Sequence, residues 1–388
     1  MVSPSTMNFE FATATRIVFG PGTLRQAGAA AKIFGRRAFV VTGRDPRRAG
    51  RLLDLLAAEG IAAATCPVDG EPTVEAVSAA VTQARAADCD LVIGFGGGSA
   101  IDAAKAVSAL LTNGGELLDY LEIIGRAQPL AKTAAPCVAI PTTAGTGAEV
   151  TRNSVLASPA HQFKASLRSP LMLPRLAIID PELTYSLPPA ITASTGLDAL
   201  TQLIEPYVSS RANPLVDGIC VEGIRRVARS LRPAFHDGRN AAARGDMALA
   251  GLISGLALAN AGLGAVHAFA APIGGMFSAP HGAVCAALLP HVMEANIRAA
   301  RERQSGGDTV RRYDEIARLL TTNGAAEDGV LWVQELVADL AIPGLQAYGV
   351  ETKHIPLVVE KAAQANSMKG NPLPLTPKEL AQILQAAL

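Results

Sequence analysis

The chain has 388 residues, and its 34 lysines and arginines balance its 34 aspartates and glutamates at a formal net charge of zero. This balance argues against a nucleic-acid or anionic-membrane binder, because either would need a basic face. Hydrophobic residues make up 49% of the chain and charged residues 18%, so the composition excludes an intrinsically disordered protein.

The five cysteines are scattered and form no CxxC pair. We therefore expect neither a disulfide framework nor a thiolate zinc site. Residues 1–11 contain no basic segment followed by an apolar core, so the sequence predicts no secretory signal and a cytoplasmic location.

Strand and helix signals alternate in the first half of the chain. Short apolar runs predict strands, and helical spacing of leucines and alanines predicts helices between them. This alternation predicts a parallel α/β sheet with helices on both faces. The predicted strands cover residues 37–42, 62–66, 90–95, 136–140 and 176–179, and the predicted helices cover 47–59, 73–87 and 99–111.

The second half shows helical periodicity almost throughout and no convincing strand. We therefore predict an α/β domain over residues 1–186 and an all-helical domain over residues 187–388. Within the helical part, the 47 residues from Met247 to Met293 contain no Asp, Glu, Lys or Arg. A membrane span needs about 20 continuous apolar residues, and prolines and polar residues interrupt this stretch, so we predict two or three buried helices. The histidines of this uncharged stretch indicate an active-site interior.

Two segments rich in small residues follow predicted strands. Gly97, Gly98 and Ser99 lie between a strand and a helix, where bare backbone amides and a helix N-terminus can hold a phosphate. The segment 141–147 (PTTAGTG) offers hydroxyls at the end of the next strand, which suits contacts to a ribose or a pyrophosphate. From these residues alone, a tight turn at the first segment and a capped loop at the second explain the pattern as simply.

Four runs follow one another along the chain: FGGGSAIDAAK (95–105), IPTTAGTGAEVT (140–151), TGLDALTQLIE (195–205) and AVHAFAAPIGGMFSAPHGAVCAALLP (265–290). Together they resemble the iron-containing alcohol dehydrogenase family, and the resemblance covers almost the whole chain. The family joins a Rossmann-like domain to a helical domain, in an architecture like that of dehydroquinate synthase, with cofactor and metal in the cleft between them. The resemblance implies an NAD(P)-dependent oxidoreductase that transfers a hydride between nicotinamide C4 and a small alcohol or aldehyde.

The resemblance also implies which residues contact the cofactor. The implied set is Gly43, Gly97, Gly98, Ser99, Asp102, Thr142, Thr143, Thr146 and Lys164. Members that prefer NAD tend to carry an Asp near the adenosine ribose, where it repels a 2′-phosphate. This chain has Gly43 at that position, followed by Arg44, Arg47 and Arg48. Because guanidinium groups bind phosphate, we expect NADP(H) to be favoured over NAD(H).

A divalent metal, Fe²⁺ or Zn²⁺, is implied as well. Members bind it through one Asp and three His, at positions that match Asp198, Gln202, His267 and His281. Asp198 and Gln202 are four residues apart on a predicted helix and share one face. An amide oxygen is a poor ligand beside imidazole, so Gln202 should weaken the site. In addition, Ala271 stands where many members have a proton-relaying His.

We therefore expect an enzyme with a weakened or absent metal site. In the metal-free hypothesis, His267 and His281 donate hydrogen bonds to the substrate oxygen, Asp198 keeps one of them protonated, and Gln202 donates its amide. One alternative is a metal-dependent alcohol dehydrogenase or maleylacetate-type reductase, in which Gln202 or a water completes the coordination. Another is a nucleotide-binding relic without turnover. Glu205 fits a helix salt bridge better than a catalytic base.

The expected partners are small molecules, with no nucleic acid and no membrane. Residues 8–19 alternate as a strand does, and in the resembling family such a strand pairs across a two-fold axis. A sheet edge that is left open invites association, so we expect a homodimer or a larger homo-oligomer.

Overall fold

The computed structural model describes residues 8–304 and 307–388, so residues 1–7 of the segment searched for a secretory signal lie outside the described part. The described strands are β1 (Ile17–Phe19), β2 (Arg37–Thr42), β3 (Ala62–Pro67), β4 (Leu91–Gly96), β5 (Cys137–Pro141), β6 (Asn153–Ser158), β7 (Phe163–Arg168) and β8 (Leu176–Ile179). Six of them form a parallel sheet in the order β1-β8-β5-β4-β2-β3, and β6 and β7 form a separate antiparallel pair.

Helices cover both faces of the six-stranded sheet, as the sequence predicts. Successive side chains of a strand point to opposite faces, and β2 shows this alternation. Phe39 and Val41 pack against one set of helices, whereas Ala38 and Val40 pack against the other. The first set is α3 (Val74–Ala86), α4 (Gly98–Thr112) and α5 (Leu117–Tyr120), and the second is α1 (Ala27–Ala31) and α2 (Gly50–Ala58).

The rest of the described chain is helical. Its helices are α6 (Pro189–Val208), α7 (Pro214–His236), α8 (Ala241–Ala261), α9 (Ala265–Met276), α10 (His281–Arg303), α11 (Asp308–Leu320), α12 (Ala326–Asp339), α13 (Ile355–Gln364) and α14 (Pro377–Ala387). A Rossmann-like sheet followed by a helical part is thus confirmed. The division between residues 186 and 187 stays a prediction.

The uncharged stretch forms α8, α9 and the first half of α10, which confirms the prediction of buried helices. By length and composition, α8 could cross a membrane, but 61% of its most apolar window is buried inside the protein. It packs against α6 and α7. The apolar surface of α8 is therefore the surface of a core helix.

The sheet has a topological switch point between β2 and β4. From β2 the chain moves outward to β3, and it then returns to the other side of β2 at β4 before continuing outward to β5. Ligands of open α/β sheets bind at the carboxyl ends of the strands that flank such a point. Gly43 follows β2 and Gly97 follows β4, so two predicted cofactor residues lie there.

The hairpin of β6 and β7 is a feature that the sequence analysis missed. It is fastened to α4 by Asp102, whose Oδ2 accepts a hydrogen bond from Val155 N at 3.1 Å. The neighbouring Lys105 is fully buried, and its Nζ lies 2.9 Å from Asp102 Oδ1 and from Thr151 Oγ1. These polar pairs join α4 to the chain segment that follows β5.

The predicted strand over residues 8–19 is only partly correct. Ile17–Phe19 forms β1, which pairs in parallel with β8 of the same chain. Upstream, the backbone of Ala12 is held by the side chain of Asn260, which accepts from Ala12 N at 2.6 Å and donates to Ala12 O at 2.9 Å. Within one chain, the backbone around Ala12 therefore bonds to a side chain of α8 rather than to a strand.

Candidate active site

The glycine loop after β4 and the threonine loop after β5 lie side by side. Thr142 N donates to Gly96 O at 2.8 Å, because β4 and β5 are neighbours in the sheet. A Cβ placed on Gly98 would lie 2.8 Å from the side chain of Thr146, and one on Gly97 would lie 3.4 Å from Thr143. The structure therefore brings the two predicted cofactor loops into direct contact.

Helix α4 begins at Gly98, with Gly97 as its N-cap residue in an extended conformation. No side chain caps this end, and Ser99 lies in its first turn. The amides of the first turn have no partners within the helix and carry a partial positive charge. This is the geometry that binds a pyrophosphate.

Gly43 lies at the end of β2, and a Cβ placed on it would have no neighbour within 4 Å. The three arginines after it already have partners. Arg44 Nε lies 2.5 Å from Asp69 Oδ1, Arg47 Nε lies 2.8 Å from Asp45 Oδ1, and Arg48 donates to Ser186 Oγ at 3.2 Å. The Arg44 and Arg47 pairs are solvent-exposed, so each is weak enough to exchange for a phosphate.

Two other predicted cofactor residues also have partners within the chain. Lys164 on β7 is buried, and its Nζ lies 3.0 Å from Glu71 Oε1. It lies against α9, where a Cβ on Gly274 would be 2.7 Å from the same Nζ. Asp102 is bound to Lys105 and Val155, as described above. The cofactor contacts of Lys164 and Asp102 stay predictions.

Four ionisable side chains meet between helices α6, α9 and α10. Asp198 of α6, His267 of α9, and His281 and Cys285 of α10 each offer one donor atom, and these atoms all lie within 4.8 Å of one another. Helix α10 can approach α6 this closely because residue 282 is glycine, since a Cβ there would lie 2.3 Å from Ser194 O. We call these four residues the donor cluster.

Glu205 fixes the orientation of His267. Its Oε2 lies 2.6 Å from His267 Nδ1, and its Oε1 accepts from Val266 N at 2.7 Å. With the Nδ1 proton directed at a carboxylate, the Nε2 lone pair is free to face the donor cluster. The expectation of a helix salt bridge for Glu205 is therefore wrong, because its partner in the structure is His267.

The groups of the donor cluster shift the pKa values of their neighbours. Burial raises the pKa of the Cys285 thiol, but His281 and His267 outweigh burial and the resulting pKa lies below the ordinary value. Burial also opposes protonation of His267, yet Cys285 and Glu205 raise its pKa well above the ordinary value. These shifts favour the thiolate form of Cys285, which faces the same small space as the Asp198 carboxylate and the two imidazoles.

Gln202 lies one turn after Asp198 on α6, as predicted, but its amide oxygen is engaged elsewhere. Ser254 Oγ of α8 lies 2.9 Å from Gln202 Oε1 and 3.0 Å from Gly145 O of the threonine loop. Gln202 therefore belongs to a buried contact between α6, α8 and the cofactor loops.

Comparison with known proteins identifies the family. Residues 14–181 match the family model of iron-containing alcohol dehydrogenase, and residues 192–388 match the model of the C-terminal part of the same family. The chain belongs to the iron-containing alcohol dehydrogenase family. This confirms the resemblance stated from the sequence motifs.

Proteins that are similar to this chain over most or all of their length are alcohol dehydrogenases. The chain is 40% identical over 319 residues to long-chain-alcohol dehydrogenase 1 of Geobacillus thermodenitrificans, which covers 82% of this chain and 80% of the relative. It is 36% identical to 1,3-propanediol dehydrogenase of Klebsiella pneumoniae, which covers 95% and 96%. The crystal structure of a 1,3-propanediol oxidoreductase superposes with a TM-score of 0.91 at 34% identity, covering 98% and 100%.

A further solved structure is that of sulfoacetaldehyde reductase from Bifidobacterium kashiwanohense in complex with NAD⁺. It has a TM-score of 0.86 and 29% identity and covers 98% of this chain and 99% of that one. Together the relatives establish that this member of the iron-containing alcohol dehydrogenase family is an oxidoreductase that acts on alcohols.

The donor cluster fits a divalent metal. Asp198 Oδ1 is buried without a hydrogen-bond partner, 3.5 Å from His267 Nε2 and 3.7 Å from His281 Nε2. A buried carboxylate oxygen without a partner destabilises the folded protein, and a bound cation would offset this desolvation cost. Carboxylate, imidazole and thiolate are all ligands that Zn²⁺ accepts.

Sequence reasoning missed two residues of this site, Glu205 and Cys285, although helical spacing could have found both. Cys285 is four residues after His281, and Glu205 is seven after Asp198, so each shares a helix face with a predicted ligand. The expectation of no thiolate zinc site was drawn from scattered cysteines without a CxxC pair. That rule does not cover a single cysteine next to histidines from other segments.

Proposed function

We propose that this alcohol dehydrogenase transfers a hydride between nicotinamide C4 of NAD(P)(H) and a small alcohol or aldehyde with the help of a divalent metal held by Asp198, His267 and His281. The observation that carries the proposal is the donor cluster, whose four donor atoms lie within 4.8 Å of one another. The cluster includes Asp198, whose Oδ1 is buried without a hydrogen-bond partner. When bound, the metal supplies a Lewis acid for the substrate oxygen.

The chain's own residues bind, orient and shield the reactants. The amides at Gly97 and Gly98 bind the pyrophosphate, and the threonine loop binds the nucleotide beside them. Glu205 holds the Nδ1 proton of His267, so that Nε2 keeps its lone pair toward the donor cluster. Aldehyde reduction also places a proton on the alcohol oxygen. With alanine at 271, this proton comes from solvent on the side of His281, whose side chain is 35% exposed.

The metal-free hypothesis is the second candidate, and the protonation of the histidines favours it. Burial opposes charge on His281, but Cys285 and Asp198 outweigh burial and raise its pKa above the ordinary value. Cys285 and Glu205 likewise raise the pKa of His267. Without a metal, these shifts favour protonated imidazoles, which could donate hydrogen bonds to a developing alkoxide.

We propose NADP(H) as the preferred cofactor. Gly43 leaves open space at the end of β2, and the guanidinium groups of Arg44 and Arg47 are exposed within reach of the same loop. Both would exchange an exposed carboxylate partner for a 2′-phosphate. The measurement is kcat/KM for NADPH and NADH in the wild type and in Gly43→Asp. We expect the aspartate to reverse the preference, and equal ratios in the two proteins would contradict the proposal.

The metal requirement is tested by elemental mass spectrometry of protein exposed to Fe²⁺ and Zn²⁺, together with NADPH oxidation on small aldehydes before and after chelation. The proposal expects one metal per chain and a loss of turnover on chelation that added metal restores. Turnover without metal that persists after chelation supports the metal-free candidate instead. In either case His267→Ala and His281→Ala should lower turnover about tenfold or more.

The homodimer, the cytoplasmic location and the identity of the substrate stay predictions. The relatives act on alcohols or aldehydes of different kinds by their names, so a panel of straight-chain aldehydes and diols is the appropriate first screen.

A further inference from the structure

Cys285 has a position that the function proposed above does not yet use. It is fully buried, and its Sγ lies 3.7 Å from His281 Nε2 and 3.9 Å from His267 Nε2. The two other buried cysteines, Cys137 and Cys220, lie elsewhere, in the sheet and on α7. Cys285 is therefore distinguished by its neighbours and not by burial.

Four of the six distances between the donor atoms are those of direct contacts, and they lie close to the edge lengths of a tetrahedron around a small cation. Bonds of about 2.0–2.1 Å to N or O and about 2.3 Å to S place tetrahedral ligand atoms about 3.4 Å apart for an N/O pair and about 3.6 Å apart for an N/S pair. The observed N/O distances are 3.5 and 3.7 Å, and the observed N/S distances are 3.9 and 3.7 Å. A contraction of a few tenths of an ångström would bring these atoms to bonding distance of one cation, and the substrate oxygen would then bind as a fifth ligand.

Gln202 is a weaker candidate for the fourth position. Its amide oxygen, the only atom through which glutamine could bind the metal well, already lies 2.9 Å from Ser254 Oγ. Ser254 is in turn anchored near Gly145 O and Gly251 O, at 3.0 and 2.8 Å. Recruiting Gln202 to a metal would break this buried contact, whereas recruiting Cys285 breaks none of comparable quality.

The charges also favour the cysteine. A thiolate is an anionic ligand, whereas the amide of Gln202 is neutral, so a divalent cation binds the cysteine more strongly. The imidazoles of His267 and His281 then bind as neutral ligands. Metal binding in this form releases the thiol proton of Cys285 to solvent.

We infer that Cys285 is the fourth protein ligand of the metal in this enzyme, as a thiolate, with Gln202 outside the coordination sphere. The inference rests on the metal-assisted function proposed above. It assigns the site a carboxylate, two imidazoles and a thiolate, a mixed set that suits Zn²⁺.

The test uses the full-length protein loaded with Co²⁺, a spectroscopic substitute for Zn²⁺. We expect one cobalt per chain and a near-ultraviolet thiolate-to-cobalt charge-transfer band in the wild type. Cys285→Ser should lose this band and bind cobalt at least about tenfold more weakly. Two controls should keep the band: Cys220→Ser, which changes another fully buried cysteine, and Gln202→Leu, which removes the competing oxygen.

The outcomes distinguish a failure of the Cys285 assignment from a failure of the metal-assisted function. One cobalt per chain without the band, or a band that survives in Cys285→Ser, overturns the assignment of Cys285 and leaves the metal-assisted function standing. No stoichiometric metal in the wild type overturns both. X-ray absorption of the zinc-loaded wild type needs no variant, so it decides the question even if Cys285→Ser does not fold. We expect one sulfur at about 2.3 Å from zinc, and a shell of only nitrogen and oxygen overturns the inference.

Discussion

Replacing Glu205 with glutamine should weaken metal binding without changing any residue of the donor cluster. The carboxylate accepts two hydrogen bonds in a buried position, from His267 Nδ1 at 2.6 Å and from Val266 N at 2.7 Å. Glutamine has the same shape but only one acceptor oxygen. In Glu205→Gln, one of these two donors therefore loses its acceptor.

Either orientation of the new amide is costly. If the oxygen stays with Val266 N, the amide NH₂ faces His267 Nδ1, which must then accept, and the imidazole proton moves to Nε2, where it blocks the metal. If the oxygen turns to His267, two donors meet at Val266. A buried donor without a partner costs about 1–3 kcal/mol. That range corresponds to about 5- to 150-fold in a dissociation constant, which agrees with typical effects of residues behind a ligand.

The assay is the Zn²⁺ dissociation constant by competition with a chromophoric chelator, for wild type, Glu205→Gln and the control Glu149→Gln. Glu149 is likewise a buried glutamate, but it lies on the loop after β5. We expect weaker zinc binding only in Glu205→Gln. An unchanged zinc dissociation constant, within about twofold of wild type, would refute the reasoning that Glu205 sets the tautomer of His267.

Two further predictions concern stability and the contact between the loops and α8. Burial raises the pKa of Glu149 from 4.5 to about 7, so the folded state loses stability as pH rises through 7. Glu149→Gln should unfold like wild type near pH 4.5 but be more stable by about 3 kcal/mol above pH 8 in denaturant titrations, and a pH-independent difference would contradict this. A Cβ on Gly255 would lie 2.4 Å from Gly147 O, whereas one on Gly245 of the same helix has no neighbour within 4 Å. Gly255→Ala should lower the unfolding free energy by about 1–3 kcal/mol and weaken NAD(P)H binding, whereas Gly245→Ala should do neither, and equal cofactor affinity in the two variants would argue against the contact.

The sheet was predictable because its signals are local. Buried parallel strands such as β4 are continuous apolar runs, and the helices between them have regular apolar spacing. Burial alternates along β6, but the hairpin of β6 and β7 escaped prediction because its position depends on the distant Asp102 and Lys105. Residues 8–16 had the right alternation for a strand, yet Asn260 holds the backbone of Ala12 instead.

The site was predictable where motif and spacing coincide. Asp198, His267 and His281 were recognised from ordered motifs, and the structure brings them together. Glu205 and Cys285 were not recognised. Helical spacing puts them on the same faces as Asp198 and His281, but their contacts with His267 depend on how α6, α9 and α10 pack. A single cysteine in an apolar helix reads as a small hydrophobic residue until the neighbouring helices are in place.

In the sequence, Gln202 appears only as the loss of a metal ligand, but in the structure it makes a buried contact of its own. Its amide oxygen meets Ser254, and Ser254 also lies within hydrogen-bonding distance of Gly145 O in the threonine loop. A histidine ligand at 202 would direct its polar atom to the metal and leave that contact. If Cys285 supplies the missing ligand, residue 202 is free to brace α6 against the cofactor loop. The thiol one turn after His281 then replaces the ligand that is lost at position 202. A site that still binds a metal explains why Asp198 Oδ1 stays buried and directed at the site.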